Sequence, residues 1–196
     1  MRIALALLAL AACTPDVAPG SYLCGPEGLC PEGQACNGPD NICVFESEVR
    51  PFECGTATDP AGDDQPASGT ALMNLSCVSV PSETRGCLRE VDGQDFFQFD
   101  VPANCSAVRV DASVTFPIAF QPLGFVLSTA GGAATPVEAP CSPSTVALAG
   151  EEVRCFGQTV QAGGHYAVGV VKGSGGDCGG ACRHNRYLFR LRLASP

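Results

Sequence analysis

Beyond residue 70 the chain alternates apolar and polar side chains with a period of two. In AVRVDASVT, Val108, Val110, Ala112 and Val114 point one way while Arg109, Asp111, Ser113 and Thr115 point the other, as a half-buried strand requires. YLFRLRL repeats the pattern, with Tyr187, Phe189, Leu191 and Leu193 inward and Arg190 and Arg192 outward. Similar short runs occupy 72–80, 96–101, 123–128, 144–148, 153–160 and 166–171. Gly, Pro and Asn signals separate them, and no apolar stretch keeps a helical period for more than a turn or two. The pattern predicts an all-β fold, an antiparallel β-sandwich of about eight strands with little or no helix.

The first residues read differently. Arg2 precedes an apolar segment from Ile3 to Leu10, the length of a signal-peptide core and well short of the ~20 residues that cross a bilayer. Ala11 and Ala12 lead straight into Cys13, and LAAC resembles a bacterial lipobox, in which that cysteine receives the lipid. The resemblance makes residues 1–12 a signal peptide and Cys13 the first residue of the mature chain. Cysteine parity agrees: the chain has 13 cysteines, an odd number that leaves one thiol over in an exported protein. With Cys13 taken by a thioether, Cys24, Cys30, Cys36, Cys43, Cys54, Cys77, Cys87, Cys105, Cys141, Cys155, Cys178 and Cys182 can all form disulfides, which persist only in oxidising compartments. Thr14 stands where an aspartate would favour inner-membrane retention, so the expected location is the cell envelope, anchored by lipid to the outer membrane.

Organisation follows from composition. Residues 13–22 form a lipidated tether rich in Pro and Gly. Residues 23–53 include CGPEGLCPEGQACNGPDNIC, four cysteines among turn signals and almost no apolar side chains, too polar to fold without crosslinks. Its C-x5-C-x5-C-x6-C spacing resembles small cysteine-rich modules of granulin or Dickkopf type. Structural zinc favours C-x2-4-C pairs, which this segment lacks. Residues 54–196 make the larger unit, opening on a polar loop, GTATDPAGDDQPASGT. Its core must come from Val, Leu and Phe, since the chain has no Trp, and each disulfide adds about 2–4 kcal/mol.

DGQDFFQFDVPANCSAVRVDA carries a family resemblance. It is similar to the bacterial pre-peptidase C-terminal domain, whose hallmark D-x-D-x-F-x-F precedes a turn and an alternating strand. Asp92, Asp95, Phe97, Phe99 and Val101 fit, with one extra residue between the acids. AGGHYAVGV matches a second element through Gly164, Tyr166, Val168 and Val170. The resemblance spans about 140 residues from Cys54 on. It implies a jelly-roll-like sandwich serving as a non-catalytic attachment module, sometimes with calcium.

The formal charge of −9, with one lysine, Lys172, excludes nucleic acid as a partner, because phosphate backbones are held by Lys and Arg. Catalytic motifs are absent: only His165 and His184 offer imidazoles, and no HExxH or GxSxG occurs. Ser174, His165 and Asp177 could be written as a triad, but GSGGD runs in the wrong order for GDSGG. Cys178, Cys182, His184 and Asp177 could hold a metal, yet in an exported chain the cysteines are better read as disulfide partners. The metal candidates are Asp59, Asp63, Asp64, Asp92 and Asp95, whose carboxylates suit calcium, although D-x3-D-D matches no EF-hand loop. The expected function is a non-enzymatic, lipid-anchored binding or assembly module for a protein, peptide or polysaccharide. The alternatives are an inhibitor or decoy acting through the cysteine-rich knot and, behind it, a hydrolase.

Overall fold

The computed structural model describes residues 17–50, 54–55, 58–60, 62–72, 75–89, 93–129, 132–142, 145–173 and 185–196. Residues 24–50 begin with a 3-10 turn at Pro26–Gly28, then a hairpin of β1 (Gln34–Asn37) and β2 (Ile42–Phe45), then a second 3-10 turn at Glu46–Glu48. The Cys24–Cys36 and Cys30–Cys43 disulfides cross-link this hairpin to the segment before it. That segment is also tied by an isolated bridge between Leu23 and Ile42. Covalent crosslinks replace a core here, because the hairpin buries few apolar side chains of its own.

The rest folds as two stacked sheets. One has the order β3-β5-β10-β7-β8, from Thr70–Ala71, Gln94–Asp100, His165–Lys172, Leu123–Thr129 and Thr135–Pro136; the other has the order β4-β11-β6-β9, from Ser82–Leu88, Asn185–Ala194, Val108–Pro117 and Glu151–Val160. The long strands from β4 to β11 switch sheets at almost every connection, so sheet neighbours are distant in sequence. The ladders are antiparallel except β3 on β5, which is parallel. The exception follows from connectivity: the chain leaves β3, lays β4 into the opposite sheet and returns as β5 in the direction β3 had.

Alternation builds the core as the sequence predicts. Val108, Val110, Ala112 and Val114 of β6 are buried, as are Tyr187, Phe189, Leu191 and Leu193 of β11. Between the sheets Phe97 stacks on Phe189 at 4.4 Å and Phe125 lies 5.8 Å from Phe156, while within one sheet Phe99 stacks on its register partner Tyr166. Two apolar runs depart from expectation. Residues 75–80 and 145–148 are not strands, and Val78, Val80, Val146 and Leu148 are exposed. β4, SETRGCL, was not expected, since its inward positions are Thr84, Gly86 and Leu88. Gly86 is required there because the Tyr187 ring occupies the space a Cβ would need.

The cysteine-rich hairpin packs on one corner of the sandwich. Cys24, Ala119 and Phe120 form a small second core with Cys30 and Cys36 against it. Arg186 donates to the Pro39 carbonyl. Burial lowers the pKa of this guanidinium, while the negative charges of Asp40 and Glu151 oppose the shift.

Candidate functional site

Cysteine placement comes first among the candidates. The ten described cysteines after Cys13 form five disulfides: Cys24–Cys36, Cys30–Cys43, Cys54–Cys87, Cys77–Cys105 and Cys141–Cys155. Cys24, Cys30 and Cys43 lie close enough for a metal, but each spends its sulfur on a disulfide, which leaves no thiolate ligand. Cys13, Cys178, Cys182, His184, Ser174 and Asp177 lie outside the described residues. His165 opens β10 on the surface, its Nδ1 2.6 Å from Asp100 Oδ1.

The polar loop ahead of β3 builds the most unusual chemistry. It runs along the outer edge of β5, where Phe96 N–H donates to the Asp63 carbonyl, and Gln94 and Gln98 donate from their side chains to the carbonyls of Asp64 and Pro66. The Cys54–Cys87 disulfide ties its start to β4. So fastened, the loop carries Asp59 and Asp63 to Asp95, the inward-facing residue at the start of β5. One carboxylate oxygen from each lies within 4.8 Å of the others. All three residues are buried, with exposures of 2%, 4% and 1%.

Arg89, just past β4, pairs with Asp59; the Tyr187 hydroxyl, reaching across from β11, donates to Asp95; and Thr70 Oγ1 lies 3.4 Å from Asp63 Oδ2. Asp63 Oδ1 is buried with no hydrogen-bond partner. Burial raises the pKa of Asp63 above the ordinary 3.8, and the charges of Asp59 and Asp64 raise it further. Burial and the Asp95 carboxylate push the Tyr187 phenol well above its usual range, so it stays a proton donor. Among the described residues three buried acids share one ion-paired guanidinium, Arg89, and low-dielectric surroundings tolerate buried negative charge only when a proton or a cation neutralises it.

Of the five acids singled out in the sequence, Asp59, Asp63 and Asp95 converge, Asp64 stands beside them, and Asp92 lies outside the described residues. The sequence reading missed Arg89, Thr70 and Tyr187. Tyr187 carried one available signal: a tyrosine at an inward strand position must find a partner for its hydroxyl. The donor set fits a hard cation: three clustered carboxylates, one of them with an orphaned buried oxygen, and among the described residues no nitrogen or sulfur ligand in the group.

No protein-family model matches the sequence, and no curated protein matches it. Among solved structures the chain is similar to the pre-peptidase C-terminal domain of a collagenase from Bacillus anthracis, at 16% identity and a TM-score of 0.40, over 66% of this chain and 98% of that one. It is also similar to PliG of Salmonella Typhimurium, a periplasmic inhibitor of g-type lysozyme, at 12% identity and a TM-score of 0.39, over 64% of this chain and 100% of that one. At these values neither likeness transfers a ligand, a partner or an activity.

Proposed function

We propose that this chain is a non-catalytic lipoprotein of the cell envelope, held by a lipid on Cys13 to the outer membrane, whose β-sandwich serves as a binding or assembly module. The cysteine arithmetic carries the reading. Every described cysteine is consumed in a disulfide, which supports an oxidising compartment, and the odd total of 13 leaves one sulfur over, which the reading gives to the lipid on Cys13. Lipid-modified chains carry more than one acyl group, enough for stable anchoring. Among the described residues no helix is long and apolar enough to cross a membrane.

Calcium belongs to this reading as a fastener of the sandwich edge. Asp59, Asp63 and Asp95 would hold it, and the ion would supply the positive charge the cluster lacks while locking the leading loop against β5. A second reading, an inhibitor acting through the cysteine-rich hairpin, is favoured by Tyr22, Leu29 and Phe45, which stand exposed on that stapled segment. Phase partition in a cloud-point detergent separates anchored from soluble material. The native protein is expected in the detergent phase and a Cys13→Ala variant in the aqueous phase; native protein in the aqueous phase would refute the anchor.

A further inference from the structure

We propose that the groove on the outer face of the β4-β11-β6-β9 sheet receives an extended acidic peptide segment of a partner protein. This deepens the reading of the chain as a binding module and rests on it.

The groove encloses about 580 Å³. Its floor is the solvent side of the sheet, with Arg190 and Arg192 from β11 and Arg109, Asp111 and Ser113 from β6. One wall is formed by Pro140, Ser142, Thr145 and Val146, next to Cys141, which a disulfide to Cys155 clips to β9, as does a bridge between Ala139 and Cys155. Pro81, just before β4, stands at the opposite side. The disulfide and the bridge fix the wall at Ala139 and Cys141 against β9.

Its charge opposes that of the protein. The chain has 20 acidic residues to 11 Lys and Arg, yet this groove presents three guanidiniums to one carboxylate. That carboxylate is shared, with Asp111 2.7 Å from Arg109 Nε and 3.3 Å from Arg192 Nη2. Arg190 pairs with Glu83 on the neighbouring strand at 2.7 Å. All three arginine side chains remain between 37% and 49% exposed. Ion pairs this exposed are weak and exchange readily, so an incoming carboxylate can take the guanidiniums in the bidentate geometry that arginine favours. The Arg109 head lies across Gly157 of β9, where any side chain would displace it.

Spacing selects the occupant. Arg190 and Arg192 are alternate residues of one strand, about 6.8 Å apart along it, which is the spacing of side chains two apart on any extended peptide. Acidic residues at alternate positions therefore meet successive guanidiniums while the residues between them point away from the floor, and Pro81, Pro140 and Val146, the last 74% exposed, border the flanks of the peptide. An acidic polysaccharide fits less well, because Phe156, the aromatic residue in the lining, is buried and offers no ring face for a sugar.

The test uses the mature protein and a fluorescent peptide with glutamates at alternate positions, read by anisotropy at low and at physiological ionic strength. Its controls are the same peptide with glutamine for glutamate and a peptide with its glutamates contiguous. Saturable binding of the alternating peptide is expected, weakening as salt rises. The R190Q/R192Q double variant should bind roughly tenfold more weakly or worse. Asp111→Asn should bind more tightly, because it frees two guanidiniums; a groove with only a structural role would not give that gain. Absence of saturable binding, equal binding of the glutamine peptide, or an unchanged affinity in R190Q/R192Q would overturn the proposal. So would a polyuronate that binds more tightly than the peptide with the same arginine dependence, since it would make the groove a glycan site. Detergent partition of the same preparation reports on the anchored reading separately: lost binding with partition intact removes the peptide, whereas lost partition removes the anchor.

Discussion

Asp63→Asn removes one charge from the buried acid cluster while keeping its shape, and its effect should change sign with calcium. Carboxylate oxygens of Asp59, Asp63 and Asp95 lie within 4.8 Å of one another. At an effective dielectric of about 20, two like charges at that distance repel by roughly 3.5 kcal/mol, against about 0.9 kcal/mol in water. Arg89 on Asp59 and the Tyr187 hydroxyl on Asp95 offset part of this, leaving a net relief of about 1–2 kcal/mol for the variant in a chelating buffer. For a chain of this size that is a rise in melting temperature of roughly 2–8 °C. In calcium at about a hundred times its Kd the native protein should gain ~2.7 kcal/mol, and the variant, short of one charged ligand, much less. The order of the two melting points therefore inverts. Scanning calorimetry is the suitable assay, because the chain has no Trp and only three Tyr to report by fluorescence. A variant that melts below the native protein by the same margin with and without calcium would refute the reasoning, and a native midpoint unmoved by saturating calcium would remove the ion.

Other consequences are as direct. Without calcium, the raised pKa of Asp63 means that the folded state binds its proton more tightly than the unfolded chain. The stability difference between native protein and D63N should therefore move in favour of the native protein as pH falls from neutral toward 3.8; a difference that is flat across that window in EDTA melts would contradict the burial of the group. Replacing Cys54 and Cys87 by alanine opens a link spanning 33 residues, worth ~3.7 kcal/mol by loop entropy. It should also abolish the calcium response in melting curves, since the loop loses its tie to β4; a full calcium response in that variant would show that the disulfide does not position the acids. Phe120→Ala empties the small core under the cysteine-rich hairpin at a local cost of about 3 kcal/mol. Hydrogen exchange should quicken in β1 and β2 and stay unchanged in β10 and β11, and uniform quickening would mean that hairpin and sandwich open together.

How far the sequence could be read depends on what each strand faces. β6 and β11 were legible because one side meets the core and the other meets water, so alternation is written in the residue types. β4 was not, because its inward Gly86 contributes space for Tyr187 in place of an apolar side chain. The 75–80 and 145–148 segments have the composition of strands but no ladder, and their valines stay in solvent, which propensity alone cannot foresee. The acidic loop was legible as a candidate cation site. Its convergence was not, because Asp95 and Tyr187 meet only through the stacking of two sheets across 92 residues of sequence. The cationic groove was hidden for the same reason: Arg109 and Asp111 are neighbours on one face of β6, but Arg192 joins them only through the pairing of β6 with β11, which no local pattern specifies.

Intact-mass analysis of native protein taken from the membrane fraction, with thiols counted before and after reduction, bears most directly on the proposal of a lipid-anchored, fully crosslinked envelope protein. The expected result is a chain beginning at Cys13 that carries acyl mass and shows no thiol until reduced. A mature chain without acyl mass, or with free thiols in the native state, would contradict it.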